Sequence, residues 1–427
     1  MRRVAFKTLG CRLNQAETAR MAADFEARGF STVPYGQACE ICVIHGCAVT
    51  RLAERQSLRQ VRAAAGLPGR PFVVLAGCAA EVKDHEGLRD AGADLLAGQA
   101  DKARLADLAL AAMGLPAVPE IADPGLPQFE GHRALIKVQD GCDFRCAYCI
   151  VPSLRGPPAS RPLADILREA ERAAGAGFRE IVLTGANIGL WRDGNSRLPR
   201  LLEKAAALPG LGRLRLSSIE VSTVERDVVR VMAATPAICA FLHLPLQSGD
   251  DRILAAMGRR YTAAQYRAAA EEAVSLLPRL GLGTDVIAGF PGEDDAAFAS
   301  TLSLLDDLPF SNIHAFPYSR RPGTRAADMP GAVPPAVKKA RVAELLALRT
   351  RKRDAFAASF LGRDVQVLVE GRNTGWTAAY LEARVSGAPA PGSLVPLRVR
   401  RVKGSVLEGD IPAPEEIGPI GPIGPIS

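Results

Sequence analysis

The chain has 427 residues, 48% of them apolar, and its 53 Lys and Arg against 46 Asp and Glu give a formal charge of +7. That length admits two or three domains with cores of their own, and no apolar run reaches the roughly 18 to 20 residues of a membrane-spanning helix. The start MRRVAFKTLGC lacks the apolar stretch of a secretory signal, so a cytoplasmic location is expected, with the nine cysteines free, metal-bound or catalytic and an anionic partner such as nucleic acid suited to the basic excess.

Residues 1–115 alternate buried-strand patterns with amphipathic stretches. RRVAFKTLGC, EICVIHGC and PFVVLAGC each read as a strand ending in Gly-Cys, and NQAETARMAADFEARG between the first two reads as a helix capped by Gly29. This βαβ rhythm predicts a parallel sheet. Residues 116–131, rich in Pro and Gly and without periodicity, read as a linker.

A second alternating series fills residues 132–360, with apolar runs ALIKVQDG, EIVLTGANIG, RLRLSSIEV, AFLHLPLQSG, LGTDVIAGFPGE and NIHAFPYS separated by helix-length stretches. Six strands with crossover helices predict an open, partial (β/α)6 barrel, with a doubly wound sheet as the other possibility. The basic helical stretch AVKKARVAELLALRTRKRDAFAASF ends this series. Short valine-rich segments over residues 361–413 then predict a small antiparallel β-barrel, and the Gly-Pro-Ile repeat in residues 414–427 predicts a disordered tail. The fold class expected is therefore α/β with a small barrel at the end.

Six cysteines form two trios. DGCDFRCAYCIVP places Cys142, Cys146 and Cys149 on the loop after the first central strand, at the C-terminal mouth where parallel folds assemble active sites. A Cys-x3-Cys-x2-Cys run there can ligate three irons of a [4Fe-4S] cube and leave the fourth open. The competing reading is a zinc site completed by a distant residue such as His132. Cys11, Cys47 and Cys78 end successive N-terminal strands, so adjacent strands would gather three thiols at one sheet edge, as a second cluster requires. Cys39, Cys42 and Cys239 read as core, as do His243 and His314 within central strands. His45, two residues before Cys47, is not so easily set aside.

The Cys142–Cys149 spacing resembles that of the radical S-adenosylmethionine superfamily. FKTLGCRLNQAETARM, GCDFRCAYCIVPSLRGPPASRP, RLSSIEVSTVERDVV, LPLQSGDDRILAAMGRRYT, DVIAGFPGE and YSRRPGT together resemble its methylthiotransferase family, and within it the threonylcarbamoyladenosine tRNA branch. The resemblance spans about residues 3–412. It implies an N-terminal domain with a second [4Fe-4S] cluster, a central radical domain that binds S-adenosyl-L-methionine at the open iron, and a C-terminal RNA-binding barrel of the TRAM type. It also implies tRNA as substrate, with replacement of a carbon-hydrogen bond by a methylthio group, and a flavodoxin or ferredoxin as electron donor; the sulfur source is left open. The chain departs from the family in reading His45-Gly46-Cys47 where Asn-Thr-Cys is usual, and in lacking the tyrosine often found in the segment VPSLRGPP.

Strand-end residues are the candidates for the adenosyl cofactor: Thr184, Gly185, Ser218, Glu220, Gln247, Ser248, Ile287 and Gly289. Arg398, Arg400, Arg401 and Lys403 are candidates for RNA contact, on a barrel expected to be separable from cofactor cleavage. Arg155 or Arg161 is a candidate partner for a threonyl carboxylate. Other readings are methylthiolation of isopentenyladenosine in tRNA or of a ribosomal-protein aspartate, a non-catalytic two-cluster electron carrier, and a zinc-stabilised RNA-binding module.

Overall fold

The computed structural model describes residues 2–81, 85–116, 118, 125–127, 129, 131–224 and 226–413. The tail at 414–427 and most of the 116–131 segment, both assigned from composition, lie outside them.

The N-terminal unit is a five-stranded parallel sheet of order β2-β1-β3-β4-β5, made by β1 (Arg2–Thr8), β2 (Phe30–Val33), β3 (Ile41–Gly46), β4 (Phe72–Gly77) and β5 (Leu95–Ala97). Helices α1 (Arg12–Ala27) and α2 (Arg51–Ala65) follow β1 and β3. β3 is buried along its whole length because both sheet faces are covered: Val43 packs with Phe25 and Leu105 on one side, and Ile44 with Val61 and Ala64 on the other. The chain goes one way from β1 to β2 and the other way to β3, so a topological switch point lies between β1 and β3. The edge strands β2 and β5, of four and three residues, had no legible pattern in the sequence.

All six expected central strands are present: β6 (Arg133–Lys137), β7 (Glu180–Thr184), β8 (Arg213–Leu216), β9 (Phe241–His243), β10 (Gly281–Ala288) and β11 (Phe310–Pro317). They are parallel and neighbour one another in chain order. A bridge between Leu214 and Ile238 joins the two three-stranded halves into an open partial barrel, which decides against the doubly wound alternative. Alternation along the strands sends Ile181, Leu183, Leu214, Leu216, Leu282 and Val286 into the core beneath the helices. The intervening Glu180, Thr184, Arg213, Arg215, His243 and Asp285 therefore face the lumen.

The C-terminal unit is a closed five-stranded barrel of β12 (Asp364–Val369), β13 (Thr374–Thr377), β14 (Glu382–Val385), β15 (Leu394–Lys403) and β16 (Val406–Asp410). It was expected to be antiparallel throughout, but β14 and β16 pair in parallel, and this contact closes it. Nor does it hang loosely. Arg213 and Arg215 donate to the carbonyls of Trp376, Thr377 and Ala378 at 2.8, 3.0 and 2.9 Å, and Tyr380 stacks against the Arg215 guanidinium 4.2 Å from its ring centre. Both arginines are ion-paired to the fully buried Glu180, so the C-terminal unit plugs the lower end of the central barrel.

Candidate functional site

Cys142, Cys146 and Cys149 lie on the loop beyond β6, at the upper mouth of the central barrel, as the spacing predicts. The loop is held in place: the Ala147 N–H donates to Met257 O at 2.7 Å, and the Arg259 guanidinium contacts Cys146 Sγ at 3.3 Å and the Tyr148 hydroxyl at 3.1 Å. The other end of Arg259 pairs with Glu220 Oε2, and Glu220 Oε1 is buried with no hydrogen-bonding partner among the described residues. Burial pushes the Cys149 thiol up to about 12 and raises Cys142 too, so as lone thiols both are protonated and a bound metal would have to displace the protons. None of the three is in a disulfide. A soft thiol set on one loop, with an unsatisfied carboxylate oxygen on a neighbouring strand end, fits an iron–sulfur centre with a chelating cofactor.

Cys11, Cys47 and Cys78 follow β1, β3 and β4, three strands hydrogen-bonded side by side, so the topology gathers them at one edge. Two glycines allow the close approach. Gly10 has φ +95°, and a Cβ there would stand 2.8 Å from Cys47 Cβ; Gly77 has φ +81°, and a Cβ there would stand 2.5 Å from the His45 ring. Cys47 and Cys78 are 6% and 3% exposed, whereas Cys11 is open to solvent. Burial raises Cys47 to about 11 and raises Cys78 also. His45 is fully buried, with Nδ1 2.9 Å from the Thr18 hydroxyl and Nε2 3.6 Å from Glu17, and burial lowers its pKa to about 3. It is therefore neutral, beside Glu17.

Between the trios sits a buried ionic cluster with no signature in the sequence. Arg155 ends the short helix after Cys149 (Val151–Arg155) and donates to Glu17 and Asn14 of α1, at 3.1 and 2.7 Å, and to Asp140 at 2.9 Å. Glu17 also meets Lys102 at 2.6 Å and Lys137 at 2.9 Å. Burial alone would raise the Glu17 carboxyl; Lys137, Lys102 and Arg155 instead hold it well below the carboxylate range. Burial alone would lower the Arg155 pKa, but Glu17 first and Asp140 after it hold the guanidinium charged beside Cys78. Arg155 is thus committed to the junction between the two units, and Arg161 to Lys137 O and Glu169 at 2.7 Å each, so neither offers a free guanidinium to a threonyl carboxylate.

The strand-end candidates divide. Thr184 and Glu220 sit at the upper mouth, and Gln247 there holds a left-handed backbone, φ +70°. The exposed Ser218 follows β8, and Ile287, like Tyr148, packs against the buried cluster around Phe290. A Cβ on Gly185 would meet Gln139 O at 2.9 Å. Ser248 turns outward to Thr301 at 3.3 Å, and the Gly289 N–H is spent on Glu293 at 2.8 Å, so these two are placed for the fold rather than the mouth. Three of the four basic candidates in the C-terminal barrel are ion-paired: Arg398 with Asp364, Arg400 with Asp410 and Arg401 with Glu408. A register shift between Val399 and Arg401 further breaks the single face expected of them, and Lys403 is exposed.

Cys39, Cys42 and Cys239 are buried as expected. His243 and His314 are not simple core residues. Both approach Asp285 Oδ1, at 3.1 and 3.2 Å, in the lumen, and the His314 side chain is 44% exposed there. Their separation in the chain hid this grouping.

Comparison with known proteins places a Radical SAM superfamily model on residues 136–305 and a model described as Uncharacterized protein family UPF0004 on residues 3–98. A curated relative from Thermotoga maritima, the threonylcarbamoyladenosine tRNA methylthiotransferase MtaB, is 32% identical over 442 residues, covering 97% of this chain and all of the relative. Among solved structures, the radical S-adenosylmethionine methyltransferase TsrM from Kitasatospora setae superposes with a TM-score of 0.58 at 16% identity, over 76% of this chain and 77% of its own. The cobalamin-dependent radical enzyme OxsB does so with a TM-score of 0.52 at 12% identity, over 81% and 55%. These two likenesses describe the fold.

Proposed function

The chain belongs to the methylthiotransferase family of radical S-adenosylmethionine enzymes, and on that premise we propose that it methylthiolates carbon 2 of N6-threonylcarbamoyladenosine beside the anticodon of tRNA. The observation that carries this reading is the pair of cysteine trios at two adjoining mouths, linked through Arg155. One trio alone would serve radical generation; a second in the N-terminal unit gives sulfur transfer a place of its own. The choice of modified base leans on the Thermotoga maritima relative.

In this reading Cys142, Cys146 and Cys149 hold one [4Fe-4S] cluster and Cys11, Cys47 and Cys78 a second. With S-adenosyl-L-methionine bound, the first centre would supply a 5′-deoxyadenosyl radical, fed by a flavodoxin or ferredoxin. Arg259 orients the cysteine loop through Cys146 and Tyr148, and aims Glu220 so that Oε1 stays available to the cofactor. Thr184, Gly185, Ser218, Gln247 and Ile287 border the same mouth. Arg155 fixes the N-terminal unit over the barrel, which sets where the second trio stands relative to the first. The domains proposed are residues 1–115, 132–360 and 361–413.

The test is anaerobic reconstitution with iron and sulfide, followed by reaction with tRNA carrying threonylcarbamoyladenosine and nucleoside mass spectrometry. Conversion to the 2-methylthio derivative is expected. Conversion of isopentenyladenosine instead would move the chain to the sister substrate.

A further inference from the structure

We infer that α2 carries the main phosphate-contacting surface for the RNA, an arginine stripe leading away from the mouth. Arg51, Arg55, Arg59 and Arg62 follow one another at intervals of four, four and three residues, which puts them on one helical face with about 6 Å of rise per interval of four. All four are exposed. None has a carboxylate partner among the described residues; the side chain of Arg55 reaches only Arg51 O, at 3.4 Å. Glu54, the single acid of the helix, is taken by the buried Arg321.

This arrangement works against the helix that bears it. Successive arginines one turn apart repel each other, and Arg51 and Arg55 lie toward the helix N-terminus, where the macrodipole disfavours cations. A polyanion along the face would relieve both penalties. Location agrees. α2 starts four residues after Cys47, and the Arg51 N–H donates to Ser319 Oγ of the central unit at 3.3 Å, so the stripe begins where the two units meet. Val49 and Leu52 beside it are 43% and 61% exposed, and Phe316, three residues before Ser319, is 47% exposed. These apolar side chains suit unstacked bases at the end of a phosphate track. In the C-terminal barrel, Arg398, Arg400 and Arg401 would first have to give up Asp364, Asp410 and Glu408.

This inference rests on the RNA-modifying reading. The experiment compares the reconstituted full chain with its Arg51→Gln/Arg55→Gln/Arg59→Gln/Arg62→Gln variant, measuring affinity for in-vitro-transcribed tRNA over a salt series. Loss of four phosphate contacts should flatten the log–log salt slope by about 3 and weaken binding at least tenfold at about 0.15 M salt. Thermal stability should hold or rise, and uncoupled cleavage of S-adenosylmethionine should persist. Parent and variant binding tRNA equally would overturn the stripe while leaving the enzymatic reading intact. A variant that loses stability would assign the arginines to the fold and overturn it too. No salt-sensitive tRNA binding by the parent would overturn both.

Discussion

Arg155 donates to Glu17 at 3.1 Å, from the segment that follows the radical-site cysteines to the first helix of the other unit. The pair is almost wholly buried, at 3% and 6% exposure of the side chains. Removing the guanidinium takes its donor from Asn14 Oδ1 at 2.7 Å, while Asp140 keeps Lys137 and the Gly141 N–H and Glu17 keeps Lys102 and Lys137. Arg155→Ala is therefore expected to lower unfolding free energy by about 1–3 kcal/mol in a denaturant titration. It should also reduce methylthio transfer more than uncoupled cofactor cleavage, because the cleavage residues stay in place while the second trio is no longer held over them. Equal loss of both would refute a positioning role.

Glu180 is the hinge pin of the other interface. Burial alone would raise its carboxyl, but Arg215, Arg213 and Arg133 hold it far below the usual 4.5. A carboxylate depressed in this way contributes stability that is complete above pH about 4.5 and is lost as the pH falls through the folded value. Glu180→Gln should cost about 3–5 kcal/mol at neutral pH, because it strands two buried arginines, and should remove that component of acid unfolding. Urea unfolding at pH 7 and at about pH 2.5, inside the window between the unfolded and folded values, checks both parts.

Truncation after residue 360 follows the same logic. The sequence reading treats the C-terminal barrel as separable from cofactor cleavage. Yet Tyr380 packs 4.9 Å from Phe241, and the backbone of residues 376–378 satisfies Arg213 and Arg215. The truncated chain should therefore melt at lower temperature and lose cofactor cleavage. Retention of the parent melting temperature would contradict this account of the interface.

How much of this was legible beforehand follows from which interactions are local. The Gly-Cys strand ends and the Cys-x3-Cys-x2-Cys loop fix both trios, because each cysteine stands at a predictable end of a strongly patterned strand. The six central strands were equally plain, since apolar alternation and helix spacing recur along the chain. What connects them was not. Glu17 reads as one more polar position on an amphipathic helix, and its partners Lys102, Lys137 and Arg155 lie 85, 120 and 138 residues further on. Arg398, Arg400 and Arg401 look like a basic face until the strand register places an acid beside each. Asp285 meets His243 and His314 only because three barrel strands are adjacent.

The two trios should also separate chemically. Cys142→Ala, Cys146→Ala or Cys149→Ala is expected to abolish reductive cleavage of S-adenosylmethionine. Cys11→Ala/Cys47→Ala/Cys78→Ala should retain cleavage, lose about half of the bound iron and make no methylthiolated product. Iron and acid-labile sulfide assays with 5′-deoxyadenosine quantification distinguish the two sets.

The most direct measurement is a single reaction of the reconstituted protein, under anaerobic conditions with reductant, sulfide and S-adenosylmethionine, on tRNA bearing threonylcarbamoyladenosine, read by nucleoside mass spectrometry. The account predicts that the threonylcarbamoyl nucleoside is consumed and its 2-methylthio derivative appears, with no product from the variant lacking Cys11, Cys47 and Cys78. Abundant 5′-deoxyadenosine with the nucleoside unchanged, or product formation that survives loss of those three cysteines, would contradict it.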